Sequence, residues 1–121
     1  MVLVDTSIWV DHLRKGNRHL EKLLLDAEVV CHSLVIGELA CGKLENRAEI
    51  LSLLQSLPST STIDLDEYLY FIDQNHLYGF GIGFVDIHLL ASAKLADIPI
   101  WTADKKLREV AINLNISCRQ K

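Results

Sequence analysis

No apolar run in this 121-residue chain approaches the roughly 18 residues needed to span a bilayer. The amino terminus has an acid at position 5 where a leader would be basic, so no signal peptide is expected. A cytoplasmic protein without a membrane partner follows. Cysteine is scarce: Cys31, Cys41 and Cys118 are odd in number and lack C-x-x-C spacing. That argues against a disulfide framework or a structural zinc site, and they read as buried small hydrophobes. Excess positive charge is also missing, with 12 Lys and Arg against 16 Asp and Glu, a net charge of −4 and a pI near 5.7. A broad basic surface for nucleic acid is therefore excluded. A nuclease is not, because carboxylates gathered to hold cations would themselves lower the pI. The sequence contains no internal repeat, low-complexity tract or linker. Its 50% hydrophobic and 23% charged content suits one globular domain, residues 1–121, around one core.

What is present is organised around Met1 to Arg14, MVLVDTSIWVDHLR. Val2-Leu3-Val4 reads as a buried strand, Asp5 ends it, and Ile8, Trp9, Val10 and Leu13 mark a helix. In an open α/β sheet the ligand crevice lies beyond the carboxyl ends of the strands, so Asp5 points at a site. It equally suits a helix cap, since short oxygen-bearing side chains satisfy first-turn N–H groups.

Further on, a helix through Leu20, Leu23 and Leu24 precedes a strand at Val29 to His32, and Ser33 is expected to cap a helix to Gly42. A helix from Asn46 stops at Pro58, a polar β-branched strand covers residues 59–63, and a helix runs from Asp64 to Tyr78. The segment Gly79-Phe80-Gly81-Ile82-Gly83 is a loop giving backbone freedom before the most apolar helix, Phe84 to Asp97. A strand at Pro99 to Thr102, a helix opened by Asp104 and an edge strand at Ile116 to Cys118 complete the chain. Strands separated by helices predict an α/β fold with a parallel sheet and helices on both faces.

Three more acids share the awkward placement of Asp5. Glu38 has Leu34, Val35, Cys41 and Gly42 as its helical neighbours and is expected on a buried stripe; Asp86 stands in the first turn of the most apolar helix, pointing inward; Asp104 follows a strand almost directly. Burying several carboxylates together is costly, and a divalent cation reverses that cost. Oxygen-only donors suit Mg²⁺ or Mn²⁺, and no matching His or Cys set points to zinc. Such a site can polarise a phosphodiester and generate a nucleophile from water. Taken singly, Asp5, Asp86 and Asp104 also fit helix caps, and Glu38 a surface ion pair.

VLVDTSIWV, the Glu of SLVIGELACGK, FVDIHLLASAKLA and IWTADKKL together resemble the four motifs of PIN-domain ribonucleases, specifically the VapC toxins of bacterial toxin–antitoxin pairs. The resemblance covers almost the whole chain, in order. It implies a PIN-like three-layer α/β/α sandwich with a central parallel sheet. It also implies Mg²⁺- or Mn²⁺-dependent endoribonuclease activity, a cognate VapB-type antitoxin and a homodimer. By position, Asp5, Glu38, Asp86 and Asp104 would be the catalytic, metal-binding acids, with Ser7 and Thr102 as supporting hydroxyls. Arg14, Lys15, Lys43 and Lys105 are candidates to steer the RNA backbone. The five histidines are dispersed, and a nucleophile generated at a cation needs none of them as base. Trp9 and Trp101 read as core, and Tyr68, Tyr70 and Phe71 as helix packing or a subunit contact. The rival function is a non-catalytic interaction protein on the same fold.

Overall fold

Three short parallel strands, β1 (Val2–Val4), β2 (Val29–Val30) and β3 (Ile100–Trp101), stand in the order β2-β1-β3. Val2 lies opposite Val29, and Leu3 opposite both Val30 and Ile100. This is the computed structural model of residues 1–118. Strand residues are apolar on both faces, as a parallel sheet covered twice requires.

Single bridges, Cys31 with Ser59 and Ile100 with Ser117, extend the two edges. The strands expected at 59–63 and 116–118 therefore shrink to one bridging residue each. At the first edge, Cys31 donates to Pro58 O and accepts from Thr60 N–H. The Ser/Thr run beyond offers no apolar face for the sheet to bury.

Seven helices surround this sheet among the described residues: α1 (Thr6–Lys15), α2 (Arg18–Leu25), α3 (Ser33–Cys41), α4 (Arg47–Ser56), α5 (Leu65–Asn75), α6 (Phe84–Ala96) and α7 (Lys105–Asn113). The chain leaves β1 through α1 and α2 to β2, then crosses back past β1 through α3 to α6 to reach β3. Right-handed crossovers in opposite directions put the two helical groups on opposite faces, giving the three-layer sandwich. Helix α6 is the deepest, with every residue from Ile87 to Ala93 buried, as its nearly uniform apolarity predicts. Leu3, Leu20, Leu89, Leu90, Ile100 and Leu107 fill the core. No helix among the described residues is long and apolar enough to cross a membrane.

Three local expectations change. Cys31 is buried, but Cys41 is exposed, because the last turn of α3 projects past the core. Helix α5 ends at Asn75 rather than Tyr78, since His76 turns left-handed (φ 51°) and its N–H closes on Ile72 and Asp73. Its start is a capping box in which Asp64 and Glu67 exchange backbone bonds.

The third change is the cap of α3, which is His32 and not Ser33. The imidazole Nδ1 accepts from Leu34 N–H at 3.0 Å, so the ring proton resides on Nε2, 3.1 Å from Ser92 Oγ. Ser92 Oγ donates in turn to Ser61 O at 2.9 Å. This fully buried ring thus joins α3, α6 and the sheet margin.

Burial, and secondarily the nearby His88, hold His32 below its ordinary value of 6.5. The unfolded chain takes up that proton first, so His32 supports stability fully above about pH 6.5 and less as the pH falls below it. Urea unfolding of His32→Ala is expected to show a loss of about 1–3 kcal/mol at pH 7.5. His32→Asn, which keeps a cap acceptor, should lose less and show a shallower decline toward pH 5 than the wild type.

Candidate active site

A helix that precedes or follows a parallel strand runs antiparallel to it, so α1, α6 and α7 all begin at the carboxyl edge of the sheet. The reversal of chain direction at β1 opens the crevice there, between the ends of β1 and β3. Asp5 leaves the end of β1, and Thr102 to Asp104 leave the end of β3.

Asp5 is only 5% exposed, and its side chain does not cap α1. Its Oδ2 instead accepts two hydroxyls, from Ser7 at 2.8 Å and Thr102 at 2.7 Å. Those hydroxyls in turn accept backbone N–H groups, Ser7 Oγ from Ala103 and Thr102 Oγ1 from Asp104, each at 3.0 Å. The two strand ends are thereby clasped through one carboxylate.

Asp104 does cap its helix, with Oδ1 accepting from Leu107 N–H at 3.0 Å. Asp86 is the third residue of α6 after the cap residue Gly83, is half-buried, and is stabilised by the backbone N–H of Gly83. Glu38 departs from expectation: it is exposed, on the outer face of α3 with Gly37 and Cys41. The hydroxyl of Thr6 donates to its Oε1, tying α3 to the start of α1, and no basic side chain pairs with it among the described residues.

The four acids are nonetheless brought together. Asp86 is pushed up to about 6 from its ordinary 3.8, first by burial and then by the charges of Asp5, Asp104 and Glu38. Three carboxylates, between 18 and 81 positions away in the chain, thus act on one carboxyl group. Among the described residues no three His, Cys, Asp or Glu form a ready-made metal site. The donor set itself fits a hard divalent cation: it is all oxygen, rich in negative charge, and raises the charging cost that such an ion would lower.

The basic candidates differ. Arg14 and Lys43 line a groove with Glu38, and Lys105 follows Asp104. Lys15 is engaged with Asp11 at 3.3 Å. Arg47, near Lys43 in the sequence, closes the end of α3 through the carbonyls of Ala40 and Gly42. Lys106, in a basic run with Lys105 and Arg108, reaches back to the loop before α6.

A β2-β1-β3 parallel sheet with acids converging at its switch point defines a class, and residues 2–113 match the PIN domain family, to which this chain belongs. Within it the chain is of the VapC type. It is 43% identical over 109 residues to Ribonuclease VapC32 of Mycobacterium tuberculosis, in strains CDC 1551 / Oshkosh and ATCC 25618 / H37Rv, covering 89% of this chain and 88% of the relative. The fold is also similar to the crystal structures of PAE2754 from Pyrobaculum aerophilum and FitAcB from Neisseria gonorrhoeae. Both superpose with a TM-score of 0.65, the first at 17% identity over 94% of each chain, the second at 21% over 97% and 95%.

Because the folded protein raises Asp86, its charge costs stability above about pH 6, and protonation relieves that cost between about pH 6 and 3.8. Asp86→Asn should therefore raise metal-free stability at pH 7.5 by about 1 kcal/mol, after allowance for solvent screening. Thermal melts at pH 7.5 and pH 5 check this, with the gain shrinking at the lower pH.

Proposed function

We propose that the chain is a Mg²⁺- or Mn²⁺-dependent endoribonuclease, the toxin of a toxin–antitoxin pair, acting in the cytoplasm as one domain. The observation that carries this reading is the approach of Asp5, Glu38 and Asp104 to Asp86 at the carboxyl edge of the sheet, where burial first, and then the charges of the other three, raise Asp86. The relationship to Ribonuclease VapC32 supplies the substrate class.

Asp5, Glu38, Asp86 and Asp104 would hold one or two cations. A divalent cation held there would supply Lewis-acid stabilisation of a phosphodiester and of the charge on its leaving oxygen, and would favour ionisation of a water as the nucleophile. Ser7 and Thr102 fix the direction of the Asp5 carboxylate, the orienting role that hydrogen-bond partners play around such ligands. Half-burial of Asp86 limits bulk water and strengthens local charge interactions. The cut leaves a 3′-hydroxyl and a 5′-phosphate.

A groove of about 630 Å³ is lined by Thr6, Glu38, Val10 and Ile50 together with Arg14 and Lys43. That mixture supports a peptide segment of the antitoxin as the partner next to the site. Leu65, Leu69, Tyr70 and Leu95, all at least half exposed on α5 and α6, support self-association.

Purified protein is expected to cleave single-stranded RNA with Mg²⁺ or Mn²⁺ and to stop on chelation. Asp5→Asn should lower the rate by about a hundredfold or more, and Ser7→Ala by about 10- to 100-fold. Activity that survives both chelator and Asp5→Asn belongs to a contaminant and removes the enzyme reading in favour of a binding protein.

A further inference from the structure

Resting on the ribonuclease reading, we propose that Thr6 is a positioning residue: its hydroxyl aims the Glu38 carboxylate at the cation site. Glu38 is the one acid of the four that neither follows a strand nor stands in the first turn of a helix. It occupies the sixth position of α3, on the exposed side, and its long side chain has several torsions to settle. Left in water, such a carboxylate would sample many directions. Its charge nevertheless reaches Asp86.

The hydrogen bonds around Glu38 leave a single residue for the task of holding it. Thr6 Oγ1 donates to Glu38 Oε1, and among the described residues Glu38 makes no other side-chain hydrogen bond and no ion pair. One oxygen is thus fixed, while Oε2 has no protein partner. The donor is the stiffer of the two. Two heavy atoms on the threonine Cβ restrict its χ1, and Thr6 is half-buried at the first position of α1. Little freedom is lost on the donor side, so the bond acts mainly as a restraint on the glutamate.

Topology explains why Thr6, and not Ser7, takes this part. Neighbouring side chains on a helix diverge by about 100°, and β1, which feeds α1, is the central strand of the sheet. Ser7 turns toward the end of β3, where it meets Asp5 and the N–H of Ala103. Thr6 turns toward α3, the helix that follows β2. Two successive hydroxyls therefore direct two carboxylates, Asp5 and Glu38, from one turn of helix. Because Thr6 and Glu38 both line the groove described above, water competes for their bond. What the bond supplies is direction rather than fold stability.

The test compares Thr6→Val, which keeps the β-branched shape and removes the hydroxyl, with Thr6→Ser, which keeps the hydroxyl, each alone and combined with Glu38→Ala. Calorimetric titration of the RNA-free protein with Mn²⁺ is expected to show about tenfold weaker binding for Thr6→Val, within the range for a lost orienting partner, and wild-type binding for Thr6→Ser. In the Glu38→Ala background, Thr6→Val should cost less than about twofold more, since a residue acting only through Glu38 has nothing left to aim. Cleavage of single-stranded RNA by Thr6→Val should need about tenfold more Mn²⁺ for half its maximal rate, with that maximal rate and the KM for RNA unchanged. In the metal-free protein, NMR relaxation of the Glu38 side chain should report more motion in Thr6→Val than in the wild type or Thr6→Ser.

The role is overturned if Thr6→Val, melting as the wild type does, binds Mn²⁺ equally well, or if its loss is as large in the Glu38→Ala background. A fall in activity at every Mn²⁺ concentration, together with a lower melting temperature, would also overturn it by showing a part in the fold alone. If the wild type takes up no Mn²⁺, this role and the cation-dependent reading fall together. Uptake without RNA cleavage overturns the ribonuclease reading alone, and the calorimetric comparison still decides the part of Thr6.

Discussion

A buried carboxylate that accepts two hydroxyl protons holds this structure in the form its chemistry needs. Asp5 alone would be costly at 5% exposure. Ser7 and Thr102 remove that cost, and each hydroxyl is itself oriented by a backbone N–H from the turn after β3. The chain of amide, hydroxyl and carboxylate can run in one direction only, because the carboxylate accepts and the amides donate. It fixes the start of α1 against the start of α7, and with them Asp5 and Asp104. A strand only two residues long could not hold that register with its own ladder.

Order at Asp5 stands against conflict at Asp86. The same fold that satisfies the first acid sets the second within reach of three like charges, on a helix whose next seven residues are buried. Stability gives way here to a local concentration of negative charge, the compromise expected where a site awaits a positively charged ligand. The His32 link to Ser92 and Ser61 lies on the opposite balance. It is a neutral, paired network tying the helix that bears Glu38 to the helix that bears Asp86.

Much of this was legible in the sequence, and the failures have physical causes. Asp5 and Asp104 stood out because a buried strand ending in an acid is a local pattern. Parallel order followed from strands alternating with helices. Glu38 was misjudged because α3 is apolar on nearly every side, so periodicity could not tell which face looks outward. His32 was overlooked as a cap because imidazole rarely takes that role. The clasp on Asp5 and the approach of Lys106 to Gly81 join residues 97 and 25 positions apart, a relation that no local pattern records. The sheet margins failed because one bridge, and not a run of alternating residues, is all that the Ser/Thr segment and the residues after α7 contribute.

The mutual influence of distant carboxylates is most directly read at Asp86, by following its side-chain carboxyl carbon with NMR as pH is varied, without and with Mg²⁺. A midpoint near 6 without the ion, falling below the usual carboxylate range once Mg²⁺ is added, is the expected result. A midpoint near 3.8 that Mg²⁺ leaves unmoved would show that the four acids neither feel one another nor share a cation.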